Sequence, residues 1–139
     1  MTALSVTAAN VVPASNAVID RSRIAGETIT AGQAVYISTS DGKAYKADAD
    51  ASAAAATGYG IAVCGASAGQ PVAIQTGGDL NPGATLTANT AYIVGSTAGA
   101  INPIADITTG WYGCLLGIST STSNLRMPTS GPIVTGAAS

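Results

Sequence analysis

At 139 residues the chain has the length of one domain, and its net charge of -2 excludes the electrostatic footprint of a nucleic-acid binder. Charged residues make up 9%, against ~25% in an ordinary soluble domain, which excludes a surface kept in solution chiefly by its own charge. No stretch approaches the ~20 uninterrupted apolar residues of a membrane-spanning helix, so no membrane partner is expected.

The core implied by this composition is thin. There is no Phe and one Trp, and Ala supplies much of the hydrophobic fraction. Small side chains bury little area each, which limits the stabilisation available inside one subunit at ~25 cal/mol per Å². Association with other chains is the expected remedy. The N-terminal stretch has neither a basic region nor a continuous apolar run, so it does not read as a secretory signal, and synthesis in the cytoplasm is expected.

Residues 1–24 differ in character from the rest of the chain. Short apolar pieces without a sustained period (Val6, Val11, Val12, Val18, Ile19) end in the charged cluster Asp20, Arg21, Arg23. This reads as an extended arm whose apolar residues, with Arg21 and Arg23, add a strand to a partner surface. A disordered tail, or a first strand packed on its own domain, is the alternative.

From Gly26 to Asp50 the chain carries a pattern that returns from Gly83. Thr28-Ile29-Thr30 leads through Ala31-Gly32 into Ala34-Val35-Tyr36-Ile37 and a glycine turn at Gly42, as Thr85-Leu86-Thr87 leads through Ala88-Asn89 into Ala91-Tyr92-Ile93-Val94 and Gly99. Two glycine-bounded apolar strands come next, at Thr57 to Gly65 and Thr109 to Gly117. The expected fold is all-β, a small barrel or sandwich of two similar units, about 26–78 and 83–131, within a β domain spanning 25–131. Two units are fewer than the ~3 a solenoid needs, so they should share one core. Asp41-Gly42 predicts a hairpin turn. Residues 48–58, alanine-rich with Asp at the start and Gly58 at the end, predict one short helix of about two turns. Gly77-Gly78-Asp79 and Asn81-Pro82-Gly83 read as turns between the units, and residues 132–139 as a fraying tail.

Little in this chain could do chemistry. Without histidine it lacks the commonest general base and metal ligand. Cys64 and Cys114 lack metal-binding spacing and read as reduced core thiols, with a bridge between the two units as the alternative. Asp48 and Asp50 match the first two ligands of a calcium loop, but its Gly and closing Glu are missing, and helix capping accounts for both. No enzyme activity, cofactor or metal is expected. Tyr36, Trp111 and Tyr112 are the candidate subunit-interface residues, because aromatics are enriched where chains meet. Trp111 with Tyr112 is also the candidate glycan platform, the feature that would suit a head or tail fibre domain binding cell-surface sugar.

Thr28 to Ile37, then Asp41 to Asp48, the alanine-rich link, Gly60 to Val63 and Ala68 to Gly78 together resemble the small capsid cement or decoration proteins of tailed bacteriophages. The likeness covers about residues 26–127. It implies a viral structural protein on the outer surface of the virion capsid, made in the host cytoplasm. Its partners would be the major capsid protein and further copies of itself in a homotrimer.

Overall fold

Short runs of β-branched and aromatic residues bounded by turn formers fold here as strands. In the computed structural model, which describes residues 4, 6–49, 53–107, 111–127 and 133–137, they are β1 (Val11–Pro13), β2 (Val18–Ile24), β3 (Ala34–Ile37), β4 (Ala44–Lys46), β5 (Gly60–Ala62), β6 (Pro71–Pro82), β7 (Ala91–Val94), β8 (Ile101–Pro103), β9 (Tyr112–Ser119), β10 (Leu125–Met127) and β11 (Ile133–Ala137). The protein is mainly β, and its antiparallel sheet curls into a half-barrel.

The two sequence units become two equivalent sets of four strands. β3 pairs with β4 and β5, and β5 with β6; in the same way β7 pairs with β8 and β9, and β9 with β10. The registers also coincide under one constant shift along the chain. Ala34↔Ile61 and Val35↔Gly60 in the first unit become Ala91↔Ile118 and Tyr92↔Gly117 in the second, and Tyr36↔Tyr45 becomes Ile93↔Asn102. Gly60 and Gly117 show why the pattern keeps a glycine at this point. A Cβ on Gly60 would lie 2.3 Å from the carbonyl oxygen of Gln75, and one on Gly117 would lie 2.6 Å from that of Arg126. Backbone atoms held in a sheet cannot yield, so both strands need a residue without a side chain there.

β6 joins the halves. Its N-terminal part pairs with β5 and its C-terminal part with β10, through Leu125↔Leu80 and Arg126↔Asp79. The far ends of the sheet also meet: Gly99 N–H donates to Ala47 O at 2.8 Å and Ala49 N–H to Gly95 O at 2.8 Å. One core cluster lies between the units, with Ala34 and Ile61 from the first packed on Leu80, Tyr92, Val94, Ile101, Leu116 and Leu125. A second cluster (Ile29, Val35, Ala62, Val72, Ile74 and neighbouring alanines) covers the other face of the first unit.

Several expectations are corrected. The glycine-rich stretch from Gly77 to Pro82 is not a turn between units, because β6 runs straight through it. Gly78 has φ +83°, and a Cβ on it would lie 2.4 Å from Asn16 O. The glycine therefore admits a close neighbouring turn and a local irregularity while the strand continues. The helix is one turn, Ala53–Ala56. Ala47 N–H donates to Ala34 O and Ala49 N–H to Gly95 O, while Asp48 N–H donates to Ala55 O, so residues 47–49 link the sheet to the turn and precede the helix. Asp50, the other proposed cap, lies outside the described residues. The expected arm includes strands of its own sheet, the alternative reading, since β1 and β2 pair along β6 of the same chain. The long β6 presents an edge of unpaired backbone groups, and its own N-terminal segment is the nearest strand to satisfy it. Within the expected tail, residues 133–137 form β11 on β9.

Candidate interaction surface

The equivalence of the units provides a comparison inside one molecule. In the first unit Ala34, Ile61 and Gln75 point to the same side of the sheet, and all three are fully buried, Ala34 and Ile61 in the cluster shared with the second unit. The positions matching them in the second unit are Ala91, Ile118 and Arg126, aligned across β7, β9 and β10. There Ile118 is 49% exposed, where Ile61 is at 0%. Along this row the first unit is covered and the second is open at Ile118, although Ile93, two residues from Ala91 on the same face, is buried at 3%.

The uncovered face extends across the join. Directly opposed residues in a sheet share a face, so the row Ala91, Ile118, Arg126 continues to Asp79 on β6. Two residues along β6, Asn81 stands opposite Val12, which is 57% exposed. Arg126 grips Asp79 with both nitrogens, Nε at 2.9 Å and a terminal nitrogen at 3.2 Å. Those hydrogen bonds hold the Asp79 carboxyl below its usual range. The pair is fixed but cancels its own charge. Beyond Asp50 the only other charged residue is Asp106, whose carboxylate accepts from Asn102 Nδ2 at 2.8 Å. At the Val12 end the face opens into a concavity of about 620 Å³, lined by Thr7, Asn10, Val12, Asn81, Thr85 and Thr122 among others and by no charged side chain. Its chemistry is that of neutral amides and hydroxyls around one exposed valine.

The residues singled out from the sequence divide. Val12 on β1 is exposed, and so are Val18, at 47%, and Arg21 on β2. Val11 packs on the core between the units. Val6 is half-buried, close over Gly32, and Ile19 is half-buried on β2. Arg23 belongs to a clasp: its Nε lies 3.2 Å from Asp20 Oδ2 and its guanidinium 5.1 Å from the centre of the Tyr59 ring. Asp20 also accepts from Ser22 N–H at 2.8 Å, Ser22 Oγ at 2.5 Å and the Tyr59 hydroxyl, and the Ser22 and Tyr59 bonds push its pKa far down. Trp111 and Tyr36 pack against the core between the units, Tyr36 with its ring 6.0 Å from that of Tyr45, while Tyr112 is half-buried at the start of β9. The aromatics therefore do not form one surface platform with the apolar residues of β1 and β2. Cys64 and Cys114 are free thiols, and burial raises the pKa of Cys114.

Sequence reasoning missed Ile118, Arg126 and Asp79. No sequence signal marked them: Ile118 matches Ile61, and Arg126 matches Gln75, only through the strand pairing. Among the described residues no group of three or more His, Cys, Asp or Glu could hold a metal ion, and no helix is long and apolar enough to cross a membrane. No protein-family model, curated protein or solved structure matches the chain.

Proposed function

We propose that this protein is a capsid cement protein, a noncatalytic structural subunit that lies on the outside of a phage head and strengthens contacts between major capsid subunits. The observation that carries the reading is the second unit's surface, an open sheet face and an adjoining concavity without one unpaired charge among the described residues. A face of that kind is poorly suited to water alone and well suited to another neutral β surface, where charge would have to be desolvated. The sequence resemblance to decoration proteins supplies the kind of partner.

The mechanism is additive burial. A shell held by many weak junctions gains stability when each junction acquires an extra contact of standard size, roughly 1,600 Å² in total. The concavity beside Val12 is the capsid-facing part of this reading, because it combines an exposed aliphatic side chain with convergent hydrogen-bonding groups. Expanded capsids incubated with the protein should resist heat and osmotic shock better than bare ones. Val12→Asp should remove that gain. Capsids that break at the same temperature with and without the protein would overturn the proposal. A glycan-binding fibre domain is less well supported, because Trp111 packs against the core.

A further inference from the structure

We infer that residues 6–24 form a strap that opens as one unit while the rest of the chain stays folded, and that the clasp of Asp20 and Arg23 on Tyr59 holds it shut. The inference does not depend on the capsid reading.

Burial separates the strap from the body. Among the described residues from Leu4 to Ile24 none is buried, and the first that is, Ala25, has no exposure at all. Each strand from β3 to β10, by contrast, has at least one buried residue. Every buried member of the two core clusters comes from Ala25 or later, and of the segment only Leu4 and Val11 pack against either cluster. Apolar burial is the dominant favourable contribution to folding, so the segment is held by far less of it than the body is.

What does attach the segment is mainly polar. Thr7 N–H donates to Gly83 O at 2.8 Å and Ala14 N–H to Asp79 O at 3.0 Å. β1 is three residues long, and the ladder between β2 and β6 is interrupted twice, between Val18 and Ile19 and between Asp20 and Arg23. Each backbone bond replaces one made to water, so its net contribution is small. The second interruption carries the stronger attachment. There the Asp20 carboxylate gathers Ser22, Arg23 and the Tyr59 hydroxyl, and hydrogen bonds to an ionised group exceed neutral ones. Tyr59 belongs to the body, directly before β5. The seat fits closely, since a Cβ on Gly32 would lie 2.3 Å from Val6 Cγ1 and one on Gly83 2.5 Å from Thr7 O. Closed is therefore the ordinary state. Opened, the segment leaves β6 with unpaired backbone groups and becomes an extended chain able to pair with another strand. Any partner of that chain would bind the open state, at an affinity reduced by the fraction open.

Amide hydrogen exchange of the full chain, read residue by residue in low urea, tests this. The amides of Thr7, Ala14 and β2 should exchange at least about tenfold faster than those of β9, with a shallow urea slope, while β9 follows the steep slope of global unfolding. Tyr59→Phe keeps the ring and removes one bond to Asp20. Exchange at Thr7, at Ala14 and in β2 should then rise by one common factor of about tenfold, although the change touches the strap only at Asp20 and Arg23. A single urea slope shared by these amides and β9 would overturn the inference, because the chain would then open only as a whole. So would a Tyr59→Phe chain in which Thr7 and Ala14 do not accelerate with β2, which is local fraying, or one in which none of them accelerates.

Discussion

Asp20 shows how much of this molecule rests on single polar side chains. Its carboxylate collects bonds from Ser22, Tyr59 and Arg23, tying β2 to the residue that precedes β5. Those bonds favour the charged form and depress the folded-state pKa from the ordinary 3.8. A lowered carboxylate pKa stabilises the fold at every pH above the unfolded-state value, and the contribution is lost as pH falls below that value towards the folded one. The side chain is 18% exposed, so solvent screens it only in part. Asp20→Asn should therefore cost about 1–3 kcal/mol near neutral pH. The difference from wild type should shrink as the solution is acidified through the ordinary carboxylate range. Urea unfolding of both proteins across that range measures it, and a gap independent of pH would mean the clasp is not ionic. From sequence, Arg21 and Arg23 read as charges for a partner; the group that Arg23 and Asp20 meet, Tyr59, is far along the chain, and no local pattern announces it.

The elements divide between those fixed by local chemistry and those fixed by distant contacts. The hairpin of β3 and β4 was legible because Asp41-Gly42 supplies its own geometry: Asp41 accepts from Lys43 N–H at 3.0 Å, and Gly42 has φ +71°. The two-unit pattern was legible for the same reason, since turn formers and β-branched runs recur in one order. β6 was not, because Gly77 and Gly78 in isolation look like a turn, and the approach of Asn16 that calls for glycine at 78 comes from a distant part of the chain. The placement of residues 1–24 was likewise open, since nothing local says whose sheet edge an arm will meet. With β2 spread along β6 and Val11 packed on the core, this segment belongs to the fold. Deleting residues 1–24 should lower the unfolding free energy by more than ~3 kcal/mol, since it strips an entire edge and its apolar contacts at once. Hydrogen exchange at the β6 amides should accelerate with it. A truncated chain of unchanged stability would return these residues to the status of a detachable arm.

For the molecule as a whole, two copies of one plan were given different surroundings. Four strands in one order and one register appear twice, yet the row through Ile61 is closed and the matching row is open at Ile118. This asymmetry was not legible in the sequence, because Ile61 and Ile118 sit in similar apolar strands and differ only in what the curl of the sheet brings over them. The matched positions make it measurable with the same substitution. Ile61→Asp places a carboxylate at a site with no exposure, and such burial should cost more than ~4 kcal/mol. In a domain whose total stability is of order 5–15 kcal/mol, that is enough to unfold a large fraction of the molecules. Ile118→Asp puts the same group at a half-exposed site and should change monomer stability by less than ~0.5 kcal/mol. Both should be measured by urea unfolding in dilute solution, because any association would add a concentration-dependent term. Equal losses at the two positions would mean that the second unit's face is covered within its own chain, and the case for a partner on that face would fall.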